Sequence, residues 1–355
     1  MIYLDYQATT PLAPEARAAI MPWLDEDGFA NPHSPHRMGR AAKAAVEVAR
    51  EQVARLLPGG GKVVFTGSAT EALNLAIKGC GARVCAFSAI DHAAVIDTAK
   101  ASTSAFELPV NREGLVDAAA DFPADTGLVA VMQVNNEIGT IQPVGPIADR
   151  ARDAGALFLC DAVQGAGKLA PPQGADMIAL SAHKLYGPKG IGALWIRDGI
   201  ALEPLIHGGG QEQGLRSGTL SPALCAGFGA AAALAAARME PDAAHVEDLW
   251  RAARDVMARW MLNGSEIARW HGNLNLRLDG LDVNRLMSEC RTVMFSAGSA
   301  CASGSGRPSH VLRAIGLSDA QAKSSIRLGF GRYTTRDELI EACRMIDAAA
   351  RAQGA

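Results

Sequence analysis

Apolar runs of strand length recur along the first half of the chain, and each one ends in a cluster of polar residues. Residues 62–66, 83–87, 128–134, 156–160 and 176–180 have the length and nearly continuous apolar character of buried parallel strands. Helical stretches lie between them, as at 142–154. Strands alternating with helices predict a mostly parallel, right-handed α/β sheet flanked by helices. In an open sheet of that kind ligands bind outside the carboxyl ends of the strands. The polar clusters fall there: Ser68 to Glu71, Asp91 with His92, Asn135 to Glu137, Asp161 to Gln164, and Ser181 to Lys184.

Each cluster suggests a chemistry. Lys184 follows a strand and precedes a turn forced by Gly187, Pro188 and Gly190. A lysine held at strand ends near another cation becomes a nucleophilic amine, as a Schiff base with an aldehyde cofactor requires. A plain surface lysine is the alternative. The small-residue turn at Ser68 and Thr70 opens a helix, where backbone N–H groups and the helix dipole favour a phosphate. Helix capping by Ser68 or Thr70 is compatible with that role. No Walker lysine pattern and no GxGxxG occurs, so nucleotide binding is not supported. Asp161 ends a buried strand and needs a partner, for which a pyridinium N–H is one candidate. The three polar residues Asn135, Asn136 and Glu137 must be satisfied or used. Together the clusters offer a phosphate cradle, a stacking imidazole, an acid for a ring nitrogen and an imine lysine.

The chain has 355 residues, enough for one large domain and a smaller one. The pattern changes near residue 245, where a helix over 245–261 precedes short strands around 274–278. This predicts a large domain over 15–245 and a smaller α+β domain from 1–14 and 246–355. A net charge of −3 with no long charged block argues against nucleic acid or an anionic membrane as partner. Residues 1–5 show no signal-peptide character. The apolar stretch 223–237 is too short to span a bilayer and reads as a core helix. Seven cysteines without a CxxC fit a reducing cytoplasm. Near the start, Thr10 and Pro11 predict a helix cap, and residues 31–39 a connector to a helix over 40–57. The loop 207–219 is expected to be mobile. Its His207-Gly-Gly-Gly run lacks a GxSxG elbow, which excludes the hydrolase reading.

Cys85, Cys160, Cys225 and Cys343 sit in apolar company and read as inert core thiols. Cys80 and Cys290 carry no signal. Cys301 lies among small residues, Gly298-Ser-Ala-Cys301-Ala-Ser-Gly304, so it is placed to be exposed and to move, as a reactive thiol requires. A linker thiol of no consequence is the alternative. Arg327, in a strand-like segment, is suited to clamping a carboxylate.

The motifs Ser68-Ala-Thr-Glu-Ala72, Val134-Asn-Asn-Glu-Ile-Gly139, Ser181-Ala-His-Lys184, Arg216-Ser-Gly-Thr219 and Gly298-Ser-Ala-Cys301 resemble those of the cysteine desulfurases. These are fold-type I pyridoxal-phosphate enzymes related to the class V aminotransferases, and the likeness runs from Leu4-Asp5 to Thr335. The extended loop around Cys301 is similar to the branch serving nitrogenase and general iron–sulfur cluster assembly. The resemblance implies that Lys184 bonds the cofactor and removes the substrate's α-proton. Asp161 would hold the pyridine nitrogen protonated, Gln164 would bond the ring hydroxyl, and His92 would stack on the ring and shuttle protons. Ala69, Thr70, Ser181 and His183 would hold the phosphate, and Thr219 would reach the phosphate of a partner subunit, implying a homodimer. Asn136, also beside the cofactor, and Arg327 would hold the substrate carboxylate. L-Cysteine would yield L-alanine and a persulfide on Cys301, passed on to a sulfur-acceptor protein such as an iron–sulfur scaffold. No resident metal is implied, although Cys301 could transiently ligate a cluster on transfer.

Three features depart from the family pattern. Asp91 replaces a glutamate before the histidine, with little expected effect. His33 replaces a serine in the Asn31-Pro32 loop. The chain stops soon after Asp347, without the longer tail some relatives use to dock a scaffold. Other readings remain: a selenocysteine lyase or transaminase on the same scaffold, a non-catalytic cofactor-binding partner in sulfur trafficking, and a serine acyl-enzyme from Ser181-x-x-Lys184. The last lacks its companion SDN and KTG motifs.

Overall fold

The computed structural model describes residues 1–25, 28–298 and 308–354. The chain opens with a short strand β1 (Ile2–Tyr3), an arm, and helices α1 (Pro14–Ile20) and α2 (Arg37–Ala54). Next come β2 (Gly61–Thr66), α3 (Ala69–Gly79), β3 (Val84–Ser88), α4 (Ala93–Ser102), β4 (Ser104–Leu108), β5 (Thr126–Met132), α5 (Val144–Asp153), β6 (Leu157–Asp161), β7 (Met177–Ser181) and β8 (Gly192–Arg197). A long helix α6 (Pro222–Val256) leads to β9 (Met261–Leu262), β10 (Asn273–Arg277), α7 (Val283–Glu289), β11 (Val293–Met294) and β12 (Ser296–Ala297). The chain ends with α8 (His310–Ala314), α9 (Asp319–Lys323), β13 (Ser325–Gly329) and α10 (Arg336–Ala352).

The central sheet has the order β2-β8-β7-β6-β5-β3-β4. Strands β4, β3, β5, β6 and β7 pair in parallel, and β8 runs against both β2 and β7. The expected mostly parallel α/β sheet is therefore present. Alternate side chains leave the two faces. Val63, Phe65, Val129, Phe158, Ile178 and Trp195 pack under α2, α5 and α6, whereas Val64, Phe87, Leu128, Leu159 and Leu194 pack under α3 and α4. Complete burial on both faces explains the continuous apolar runs. A second sheet, β12-β13-β10-β9, packs with the carboxyl half of α6, α7 and α10 around Trp260, Leu276, Leu328 and Ile346. Leu4 belongs to this core and Tyr6 to the first, so the arm after β1 crosses from one core to the other.

Two helix expectations change. Residues 223–237 and the helix from 245 form one helix, α6, that contains Pro241. Ala237, whose carbonyl Pro241 cannot serve, is exposed, so water can satisfy it. At 35 residues α6 is long and apolar enough to cross a membrane by composition, but Cys225, Phe228, Ala231 and Ala232 are buried in the core beside α2. Thr10 does not cap a helix. α1 begins with Pro14 after Ala13, and the Thr10 hydroxyl instead accepts from the Tyr186 N–H at 2.8 Å and donates to the His183 carbonyl at 2.9 Å. The loop over 207–219, expected to be mobile, makes side-chain contacts with α2, β2 and α3. Glu212 accepts from Arg50 and from the Phe65 N–H, both at 2.7 Å, and Arg216 pairs with Glu71 at 2.8 Å.

Gly192 lies between the ends of two strands, paired with Thr66 on β2 and Ser181 on β7. A Cβ there would meet the Ser68 carbonyl carbon at 2.5 Å, the Ala69 nitrogen at 2.7 Å and the Leu180 oxygen at 2.8 Å. These are backbone atoms at the start of α3 and the end of β7, so neither can yield cheaply. Gly192→Ala should destabilise the fold by about 1–3 kcal/mol. A denaturant melt checks this, and an unchanged midpoint would contradict it.

Candidate active site

The polar clusters meet at the carboxyl edge of the sheet, as its parallel strand order demands. A cavity of about 270 Å³ there is lined by Ala69, Thr70, His92, Asn136, Asp161, Gln164, Ser181, His183, Lys184 and Arg327. Thr219 does not line it. It is exposed, two residues before Ser221, the cap of α6. Cys301 lies outside the described residues.

Local structure fixes each side chain. Ser68 caps α3, its hydroxyl accepting from the Glu71 N–H at 3.2 Å, so the first turn of an 11-residue helix opens onto the cavity. His92 caps α4, and its Nδ1 accepts from the Ala94 N–H at 3.1 Å, which leaves the proton of the neutral ring on Nε2. Asp91, beside it, is fully buried and accepts from the N–H groups of Ser88 at 2.9 Å and Met132 at 2.8 Å. Asp91 therefore staples the end of β3 to the end of β5 and sets the turn that carries His92. Burial raises its carboxyl well above the ordinary range.

Asp161 accepts from the Val163 N–H at 3.0 Å. Burial raises its pKa, opposed by that hydrogen bond and by the charges of His92 and Lys184. Burial, with Lys184 and Lys189 nearby, lowers His183 to about 4, so its imidazole is neutral at pH 7. Its Nδ1 lies 3.1 Å from the Thr9 hydroxyl. Tyr186, next in the lysine turn, takes a φ of 69°, unusual for a bulky residue. Its N–H bond to Thr10 and the Arg332 guanidinium, 4.3 Å over its ring, hold it there.

The N-terminal arm, whose Gln7 and Ala8 carry no motif of their own, closes the pocket. The Lys184 Nζ donates to the Gln7 carbonyl and, at 2.9 Å, to the Ala8 carbonyl. Gln164 Nε2 also donates to the Gln7 carbonyl, at 3.0 Å. Gln164 Oε1 and Arg327 Nε are buried without a hydrogen-bond partner among the described residues. Orphaned polar atoms beside a cavity fit a polar ligand. An amine, a buried carboxylate, an orphaned amide oxygen and a helix N-terminus together suit a cofactor with an aldehyde, a basic ring nitrogen, a ring hydroxyl and a phosphate. Pyridoxal phosphate has all four.

The class-V aminotransferase family matches residues 2–341. This chain belongs to that family. Like other class V enzymes it depends on pyridoxal 5′-phosphate. It is 42% identical over 371 aligned residues to the cysteine desulfurase IscS of Shewanella woodyi, covering 98% of this chain and 92% of that one. A solved NifS-like protein superposes with a TM-score of 0.89 at 30% identity, covering 98% of each chain. A structure of SspA in complex with cysteine gives 0.81 at 36% identity, covering 94% of this chain and all of that one (100%).

The polar trio after β5 divides its work. Asn135 is satisfied locally, its side chain bridging the Ile90 carbonyl and the N–H groups of Glu137 and Ile138. Asn136 lines the cavity. Glu137 is buried and accepts from the hydroxyl of Ser309, the cap of α8. Burial pushes the Glu137 carboxyl up to about 7, against the Ser309 hydrogen bond and the charges of Arg327 and His92. A carboxyl whose folded pKa is raised binds more protons folded than unfolded, so its contribution is full below about 4.5 and is lost as pH rises to about 7. Glu137→Gln should therefore gain stability relative to the parent between pH 5 and pH 8 (about these limits, from the same linkage). Denaturant melts at both pH values check this, and parallel curves would contradict it.

Proposed function

We propose that this chain removes sulfur from L-cysteine, releasing L-alanine and leaving a persulfide on Cys301. The carrying observation is the cavity in which Lys184, Asp161, His92 and Arg327 meet, in a chain 42% identical to a cysteine desulfurase along 98% of its length. Pyridoxal phosphate, when bound, supplies an electron sink that weakens the bonds around the amino acid's α-carbon. The chain's own groups do the rest. The α3 N-terminus, with Ala69 and Thr70, and the neutral His183 beside Ser181, would hold the cofactor's phosphate. Asp161 would keep a proton on the ring nitrogen, Gln164 would meet the ring hydroxyl, and the His92 imidazole would cover a ring face. Arg327 and Asn136 would hold the substrate carboxylate, and Lys184 would take the α-proton and return it. The Cys301 thiolate would bond to the substrate sulfur as the carbon–sulfur bond breaks, and the released electron pair, once protonated, becomes the methyl C–H of alanine.

The other cysteines support Cys301 as the nucleophile. Burial raises the pKa of Cys80 and Cys290, takes Cys85, Cys225 and Cys343 to about 12, and takes Cys160 well above its ordinary value. None of these six is a thiolate near pH 7, and only the thiolate attacks sulfur. Exposed Met21, Leu24 and Phe29 support a homodimer, in which Thr219 would reach the partner's cofactor. The six free thiols among the described residues support a cytoplasmic site, and the likeness to IscS supports transfer to a sulfur-acceptor protein for iron–sulfur cluster assembly.

With cysteine and a reductant, the wild-type holoenzyme should release alanine and sulfide. Cys301→Ala should keep the visible absorbance of bound cofactor and lose both products by a factor of about 10³ or more. Sulfide release at the wild-type rate from Cys301→Ala would overturn the assignment.

A further inference from the structure

Arg327 is buried, at 1% exposure, and its guanidinium is held on several sides. Its Nη2 donates to Asp5 Oδ1 at 2.7 Å and lies 3.4 Å from the Ser296 hydroxyl. Its Nη1 donates to the Asn136 carbonyl at 3.0 Å. The Ser296 hydroxyl donates to the same Asp5 oxygen at 2.9 Å, so one carboxylate oxygen gathers donors from β13 and β12. Arg327 Nε has no partner among the described residues. We propose that Asp5 is a positioning residue that turns the Arg327 guanidinium to receive the carboxylate of the amino-acid substrate. This rests on the reading that Arg327 holds that carboxylate.

Asp5 is well placed for such a task because its own backbone is fixed. It bridges to Gly329 at the end of β13, and its carbonyl accepts from the Ala8 N–H at 2.9 Å and the Tyr3 hydroxyl at 3.1 Å. A guanidinium carries five donors in a rigid plane, so one fixed acceptor at Nη2 and another at Nη1 set the plane and leave donors for an incoming carboxylate. Asp5 also places a carboxylate oxygen against a buried cation, 2.7 Å from its Nη2. The arm that carries Asp5 places the carbonyls of Gln7 and Ala8 on Lys184 two and three residues later. One short segment thus fixes the distance between the group that holds the substrate carboxylate and the amine that works beside it.

The test compares two ligands of the holoenzyme, read by the change in cofactor absorbance on titration. L-Alanine carries the carboxylate, and ethylamine is the same molecule without it. Asp5→Ala should weaken L-alanine binding by about tenfold or more and ethylamine binding by less than about twofold, since only the charge-assisted contact is lost. Asp5→Asn, which keeps an oxygen for Nη2, should restore L-alanine binding to within about threefold. Should Asp5→Ala not fold, Ser296→Ala gives the smaller selective loss, about twofold or more, through the same oxygen. Equal weakening of both ligands, no weakening of L-alanine, or an Asp5→Asn variant as impaired as Asp5→Ala would overturn the proposal. Arg327→Lys separates it from the reading beneath it. If Arg327→Lys leaves the ratio of the two affinities unchanged, the carboxylate assignment itself fails. If Arg327→Lys abolishes the preference and Asp5→Ala does not touch it, only the role of Asp5 fails.

Discussion

The Lys184 side chain ends against two main-chain carbonyls, those of Gln7 and Ala8, from a part of the chain 177 and 176 residues away. A lysine among strand ends needs acceptors, and no strand of the sheet provides these two. The N-terminal arm must therefore lie along the mouth of the cavity, and much of the remaining structure keeps it there. Thr10 is bonded to His183 and Tyr186, the Tyr3 hydroxyl donates to the Thr9 carbonyl at 2.8 Å, and Gln7 Nε2 donates to the Gly272 carbonyl at 2.8 Å. The arm ties the central sheet to the smaller one, and the cavity lies where they join.

The same site shows how burial shapes its charges. Asp91, Glu137 and Asp161 are all buried, and desolvation raises all three. Their environments differ. Asp91 is held by backbone N–H groups and serves the architecture of the strand ends. Glu137 is held by a hydroxyl outside the cavity. Asp161 lines the cavity and, unlike the other two, feels the charge of Lys184. Of the three, Asp161 is the one that lines the cavity, which supports the proposed contact with a cationic ring. Lys168 adds a contrast on the cation side. Burial and the charge of Lys184 bring its amine down to about 7, yet it is not among the residues lining the cavity.

The sheet was legible because burial on both faces imposes unbroken apolar runs, and the site was legible because parallel strands deliver their ends to one edge. Residues from Ala69 to Lys184 that line the cavity follow from those two facts. The rest left weaker traces. β8 is as apolar as its neighbours but follows the lysine turn directly, and its antiparallel direction depends on pairing with β2 and β7 together. α6 reads as two helices because Pro241 interrupts the pattern, and only the exposure of Ala237 shows why the helix continues. Asp5, Gln7 and Ala8 act through contacts with residues far along the chain, and such contacts leave no period in a sequence. Their one local trace is that residues 5–10 follow neither helix nor strand spacing, as befits a segment fitted to a site rather than to a core.

Every step of the proposed reaction depends on Lys184 being the residue that bonds the cofactor. Reducing the pyridoxal phosphate-loaded protein with borohydride, digesting it and mapping the modified peptide by mass tests this directly. The reduced cofactor is expected on the peptide containing Lys184. Cofactor on Lys168, or on a surface lysine, would contradict it.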